Sequence, residues 1–140
     1  MIQQICHDAK ALSGDQGHEF NVSIGDRHLL RGDESQLRSA FSNLIFNAVK
    51  YTPAGGLITI IWKTDRDGGH LSVKDTGIGI DPVHIPRLTE RFYRADPSRH
   101  KETGGTGLGL AIVKHVLLNH DGNPEIRSRI GDGSEFICHF

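Results

Sequence analysis

The chain has 140 residues, with sixteen lysines and arginines against seventeen aspartates and glutamates and a formal net charge of -1, so it is about one domain, long enough to bury roughly two-thirds of its unfolded surface around a single core. Balanced charge with no long basic run excludes nucleic acid as a main partner. No apolar run approaches the ~20 residues of a membrane span, the first twelve residues are too polar for a secretory signal, and Cys6 and Cys138, far apart and without metal-ligand spacing, read as two packed, reduced thiols in a cytosolic setting.

In chain order, Ile2, Ile5, Cys6, Ala9 and Leu12 recur at helical spacing until Gly14 and Gly17 break the pattern, which predicts a short amphipathic helix over residues 1–13. Phe20, Val22 and Ile24 alternate with polar residues, so residues 19–24 form a half-buried strand, and residues 29–31 are expected to pair with it as a short second strand. Next comes DESQLRSAFSNLIFNAVKYTP, residues 33–53, a helix with two different sides. Leu37, Ala40, Phe41, Leu44, Ile45, Ala48 and Val49 fall on one apolar stripe, Asp33 can cap the start, and Pro53 stops the helix at Thr52. Asn43, Asn47 and Lys50, at i, i+4 and i+7, share a second, polar face one turn apart. With Tyr51 they offer oxygen ligands, a cation and a flat ring, where an ordinary solvated face mixes Glu and Lys.

Residues 57–63, LITIIWK, are β-branched and nearly all apolar; a DRDGG turn at 65–69 then leads into a second strand at 70–75. Residues 82–90 have the length for one or two helical turns, and residues 95–106, polar and without period, are expected to be a mobile loop. Residues 107–119, GLGLAIVKHVLLN, form an apolar helix ending near Gly122. Residues 125–130 and 134–140 flank a Gly131-Asp132-Gly133 turn, with Phe136, Cys138 and Phe140 on one face of the final hairpin. No internal repeat appears. Helices and antiparallel strands alternating in blocks predict an α/β (α+β) two-layer sandwich, a mixed and mostly antiparallel sheet with helices on one face, spanning residues 1–140 as a single domain.

Seventeen glycines exceed the ~7% norm and cluster in two loops. Neither loop fits the common nucleotide fingerprints. In GGTGLG, from Gly104, Leu110 stands where a GxGxxG motif needs its last glycine and where a Walker loop needs its lysine; in DTGIGI, from Asp75, the motif's last position falls on Pro82. The physical reading left is that backbone without Cβ can approach an anion, and that the amides of Gly107, Leu108 and Gly109 open a helix whose positive end favours phosphate. Asp75, ending a strand beside Gly77 and Gly79, can accept a hydrogen bond from an exocyclic amine. Adenine offers that donor, whereas guanine presents a carbonyl that a carboxylate repels.

Together and in this order, these stretches resemble the catalytic and ATP-binding domain of bacterial sensor histidine kinases, a branch of the GHKL superfamily shared with gyrase, Hsp90 and MutL. The resemblance covers nearly the whole chain. NLIFNAVKYTP, from Asn43, resembles the N box, DTGIGI the first glycine box, ERFYR from Glu90 the F box, GTGLGLAI from Gly105 the second glycine box, and GDGSEF from Gly131 a final box with Ser134 where Thr is common. The runs QLRSAFSNL and RLTERFYR look most like the phosphate-responsive branch of these kinases.

The resemblance implies a Bergerat-type fold that binds ATP with Mg²⁺. Asn47 would coordinate the metal with Asn43 assisting, Lys50 would meet the terminal phosphate, and Tyr51 would lie against adenine. Asp75 would read the adenine amine within a loop that includes Gly77, Gly79 and Ile80, and Gly79 would let that loop approach the base. Arg94 would reach the phosphates, and Gly105, Thr106, Gly107, Leu108 and Gly109 would close over them as part of a lid that Phe92 anchors in the core. It also implies two partners, a histidine-bearing dimerisation domain of the same kinase and a response regulator. The domain itself would be a cytoplasmic monomer, within a kinase anchored in the inner membrane. A stand-alone ATPase and a nucleotide-binding regulatory module remain alternatives. Against the ATPase, the place one turn before Asn47, where the hydrolytic relatives carry a water-activating glutamate, holds Asn43, whose amide cannot take the proton. His18-Glu19 lacks the expected continuation of a phosphoacceptor motif and lies in an alternating segment, so it is rejected as the acceptor. No histidine spacing, including that of His115 and His120, fits a zinc site.

Overall fold

The apolar stripe of the central helix sets the layer on which everything else is laid. The computed structural model describes residues 1–25, 29–93 and 108–140. Its elements are α1 (Ile2–Ser13), β1 (Glu19–Ile24), α2 (Glu34–Tyr51), β2 (Leu57–Asp65), β3 (Gly68–Asp75), a 3₁₀ segment (Pro82–Arg87), α3 (Gly109–Asn119), β4 (Asn123–Arg129) and β5 (Gly133–His139). In α2 the buried residues are Leu37, Ala40, Phe41, Leu44, Ile45, Ala48 and Val49, the stripe read from the spacing. The Asp33 carboxylate caps the helix by accepting from the Gln36 amide at 3.0 Å, and Thr52 turns to an extended conformation ahead of Pro53.

The five strands form one sheet in the order β1-β2-β3-β5-β4. Only the β1–β2 pair is parallel, and α2 lies in the long connection that such a pair requires. Alternation sends Ile58, Ile60 and Trp62 of β2, Leu71 and Val73 of β3 and Cys138 of β5 into one cluster with residues of α1, α2 and α3, and Phe136 and Phe140 pack against it. Each fully buried Leu or Ile there contributes roughly 1.5–3 kcal/mol. Trp62 is accommodated because Gly69 has no side chain: a Cβ at that position would stand 2.5 Å from the indole ring. Both cysteines are free and buried, and burial pushes the Cys138 thiol up to about 12, leaving it an inert packing group.

Several boundaries differ from the sequence reading. Residues 29–31 form no strand; β1 instead pairs along all six residues with Leu57 to Trp62 of β2. Leu29 is 98% exposed, while Leu30 packs against the core. The chain before α2 is drawn to the far end of α3, where the Asp33 amide donates to His120 Nε2 at 3.0 Å and Nδ1 of that ring donates to the Val116 carbonyl at 2.7 Å. Three residues cannot compete with a six-residue register. The turn between β2 and β3 takes only Arg66 and Asp67, with Gly68 and Gly69 already in β3.

His18 closes the C-terminal end of α2. Its Nε2 donates to the Thr52 carbonyl at 2.7 Å, and its Nδ1 receives the Ser13 hydroxyl at 2.6 Å, which joins the ends of α1 and α2 to the start of β1. Both nitrogens are engaged and the residue is 9% exposed, a structural role far from that of a phosphoacceptor.

The register makes a sharp prediction at two adjacent isoleucines. Ile60→Ala, at a fully buried site, is expected to cost about 2–5 kcal/mol in urea denaturation, and Ile61→Ala, on the opposite face at 37% exposure, about 1 kcal/mol or less. Equal losses would mean that the strand presents a different face to the helices.

Candidate functional site

Burial of the α2 stripe fixes the roll of the helix and so decides where its polar side looks. Asn43 and Asn47 are half-buried, and Lys50 is open to solvent. Asn43 Nδ2 donates to the Ser39 carbonyl one turn back at 2.8 Å, which commits the amide nitrogen and turns Oδ1 toward the start of α3. There Gly109 packs so closely that a Cβ would stand 2.9 Å from Asn43 Oδ1 and 3.7 Å from the Asn47 amide nitrogen. The N-cap of α3, Leu108, makes no side-chain capping bond. Its first-turn amides lie at the positive end of the helix, beside two amide side chains.

Asp75 ends β3 at 5% exposure. Among the described residues its hydrogen bonds fall on one oxygen: Oδ1 accepts from the Gly77 amide at 2.8 Å and from the Ser134 amide at 3.3 Å. Burial pushes its pKa above the usual carboxylate range, and the two amides only partly counter this. A ligand amine donating to Oδ2 would relieve part of that cost.

The loop after Asp75 is pressed against its neighbours backbone to backbone. A Cβ on Gly77 would lie 2.4 Å from the Tyr51 carbonyl oxygen at the end of α2, and the Ile78 amide faces the same oxygen at 3.5 Å. Gly79, at φ +72°, leaves no room for a Cβ, which would fall 2.0 Å from the Arg129 carbonyl oxygen. Its missing Cβ is thus required by the β4–β5 hairpin. The Ile78 carbonyl accepts from the Gly131 amide at 2.9 Å, and the Ile80 amide donates to Ser128 Oγ at 2.7 Å.

The fold therefore gathers Asn43, Asn47, Leu108 and Gly109 on one side of α2, and Tyr51, Asp75 and Gly77 at its end. Gly79 and Ile80 link the second group to β4 and β5. Arg94, Gly105, Thr106 and Gly107 lie outside the described residues, as does the expected loop at 95–106. One expectation is corrected: Phe92, taken as a core anchor, is 70% exposed at φ 64°. The neighbouring Tyr93 is the aromatic that is held, its hydroxyl hydrogen-bonded to His84 Nδ1 and its ring 4.5 Å below the Arg87 guanidinium. Phe92 has turned its side chain outward through a left-handed backbone conformation, and the half-buried Tyr93 makes the contacts instead.

Ser128 goes unmarked in the sequence, while Ser134 and Thr52 enter there only as a variant box residue and as the end of a helix. Ser128 and Ser134 stand in register with each other, and Ser134 with Asp75, at one end of the sheet. Their signal was a change of phase: inward positions that are apolar at Leu71, Val73 and Phe136 become polar at Asp75 and Ser134. Thr52 is 3% exposed and, among the described residues, its Oγ1 has no hydrogen-bond partner; no pattern in the sequence marks its burial.

Residues 32–140 match the family described as histidine kinase-, DNA gyrase B- and HSP90-like ATPase. Among curated proteins, the phosphate regulon sensor protein PhoR of Pseudomonas aeruginosa is 59% identical over 140 residues, all of this chain and 32% of that protein. PhoR of Haemophilus influenzae is 47% identical over 97% of this chain and 32% of its own length. The chain thus spans about a third of the length of these relatives. Among solved structures, the mycobacterial sensor histidine kinase MprB superposes with a TM-score of 0.83 at 30% identity, over 98% of this chain and 89% of that one. Full-length ShkA in complex with AMPPNP gives a TM-score of 0.83 at 28% identity, over 98% of this chain and 28% of that one. The ordered boxes, the five-stranded sheet under α1, α2 and α3 and these likenesses agree, and the chain belongs to the histidine kinase-, DNA gyrase B- and HSP90-like ATPase family.

Proposed function

We propose that the chain binds ATP with Mg²⁺ and donates the γ-phosphate to a histidine of a separate dimerisation domain, from which it passes to a response regulator. The observation that supports this is one juxtaposition: the amide face of α2 against the start of α3, and the buried Asp75 carboxylate with its glycine loop at the end of the same helix. Asp75 takes the adenine amine, Tyr51 flanks the base, and Lys50 reaches the terminal phosphate. The start of α3 at Leu108 and Gly109 holds phosphate together with Gly105, Thr106, Gly107 and Arg94.

The amide oxygens fit a hard cation that prefers oxygen ligands and keeps several waters, so Asn47 holds Mg²⁺ with Asn43 assisting. When bound, Mg²⁺ neutralises part of the phosphate charge. The chain's own contribution is position and electrostatics: a neutral imidazole attacks with its own lone pair and needs no base from this site. Asn43 therefore favours transfer over hydrolysis, which tells against a stand-alone ATPase. The PhoR relatives support a role in phosphate sensing, with the reaction on the cytoplasmic face of an inner-membrane kinase. The AMPPNP complex of ShkA supports the adenine nucleotide.

Asn47→Ala is expected to abolish the Mg²⁺ dependence of ATP affinity in calorimetry; unchanged dependence removes the residue from the metal site. Asp75→Asn replaces a charged acceptor worth about 1.5–3 kcal/mol, so ATP affinity should fall by roughly 10- to 100-fold and the preference over GTP should narrow. Retained discrimination would overturn the adenine assignment. Mixing the chain with a histidine-bearing dimerisation domain and γ-labelled ATP should give acid-labile phosphohistidine, while the chain alone hydrolyses ATP slowly. Rapid hydrolysis without transfer would return the ATPase reading, and binding without either reaction would favour a nucleotide-sensing module.

A further inference from the structure

Helices α2 and α3 lie side by side and run in opposite directions. Gly109 at the start of α3 meets Asn43 and Asn47, while Asn119 and His120 at its end meet Gln36 and Asp33 at the start of α2. At 1.5 Å per residue, the step from Asp33 to Asn43 is about 15 Å and that from Gly109 to His120 about 16 Å. The two spans match, so a shift of α3 along its axis at the His120 end is carried through a stiff helix to the Gly109 end.

Apolar packing through Val113, Val116 and Leu117 holds α3 in place but has no preferred direction. Hydrogen bonds supply direction. Among the described residues, those that join the two helices are confined to the far end: Asn119 Nδ2 donates to Gln36 Oε1 at 3.1 Å, and the Asp33 amide donates to His120 Nε2 at 3.0 Å. The Val116 carbonyl can only accept, so His120 Nδ1 carries the ring hydrogen and Nε2 is left as the acceptor that Asp33 needs. Asp33 is itself fixed, because its carboxylate caps α2 through the Gln36 amide. Gly32 makes room for the ring, since a Cβ there would stand 2.5 Å from His120 Cδ2.

We propose that His120 is a positioning residue for the phosphate end of the nucleotide: by tying the end of α3 to the cap of α2, it sets how far along the axis the Leu108 and Gly109 amides stand opposite Asn43 and Asn47. The inference rests on the nucleotide reading of the site and gives a role in it to a side chain about 16 Å from the start of α3. Asp75 and its loop are held by β3, β4 and β5, so the adenine end is indifferent to His120.

The test uses two substitutions that both remove the ring. In His120→Gln the side-chain oxygen still reaches the Asp33 amide; in His120→Asn the side chain is too short for Asp33 but can still donate to Val116. Without nucleotide, the Gly109 amide resonance should move in His120→Asn and stay in place in His120→Gln. In NMR titrations, Mg·AMPPNP is compared with AMP, which shares the base but stops at the α-phosphate. His120→Asn should lower the AMPPNP-to-AMP affinity ratio roughly threefold to tenfold with AMP affinity unchanged, and His120→Gln should keep the ratio. Gly32→Ala, whose methyl displaces the ring without altering it, should reproduce the loss. The proposal is overturned if His120→Asn lowers both affinities in equal proportion or leaves the ratio unmoved, or if His120→Gln loses as much. Should His120→Asn lack a cooperative thermal transition, Gly32→Ala decides, and an unaltered ratio there overturns the proposal. A wild-type chain that binds neither ligand overturns the nucleotide reading itself; an unmoved Gly109 resonance in His120→Asn overturns the role of His120 alone.

Discussion

The site depends on the seven-residue apolar stripe of α2. Once Leu37, Ala40, Phe41, Leu44, Ile45, Ala48 and Val49 are buried against the sheet and the other helices, the 3.6-residue repeat leaves no freedom over where Asn43 and Asn47 point. Rolling the helix to move either amide would expose buried isoleucine or leucine at roughly 1.5–3 kcal/mol each. The polar face is thus held by the apolar one. The close seat of Gly109 against it fixes in turn where α3 begins.

The glycines around Asp75 contribute in a different way from what glycine beside a nucleotide usually suggests. Gly77, Gly79 and Gly133 each bring backbone against backbone: the Tyr51, Arg129 and Asp75 carbonyl oxygens occupy the places where Cβ atoms would go. Gly79 and Gly133 also have positive φ, which other residues adopt at a cost. Their absent side chains let the end of α2, the end of β3 and the β4–β5 hairpin meet within one layer of backbone. The backbone around Asp75 is tied together by shared hydrogen bonds, with Oδ1 taking the amides of both Gly77 and Ser134.

Much of this was legible in the residues. The α2 stripe, its Asp33 cap and its stop before Pro53 follow from local spacing and steric rules that tertiary context had no cause to override, and the inward phase of Phe136, Cys138 and Phe140 follows from alternation. The parallel pairing of β1 with β2 was not legible, because strand alternation states which face is buried and says nothing about the partner or its direction. Phe92 and Tyr93 show a similar limit. Both are aromatic and adjacent, and which of them turns inward rests on a backbone angle at Phe92 and on the His84 and Arg87 side chains waiting for Tyr93. Ser128 could not be read at all as a single residue, since its meaning lies in a row across three strands.

On the proposed reading, one amide separates this chain from hydrolytic members of its family. A carboxylate at position 43 would take a proton from water one turn from the metal ligand. Asn43 cannot, and its Nδ2 is already committed to the Ser39 carbonyl, so its orientation is held as well as its charge removed. Water near a bound terminal phosphate is then not deprotonated by this helix, and the barrier to its attack stays high. An imidazole arriving from another domain brings its own lone pair and lacks only placement and charge neutralisation, which the cationic Lys50 and the α3 amides supply. The fold can hold a reactive nucleotide without consuming it because the group it omits is needed by water and not by histidine.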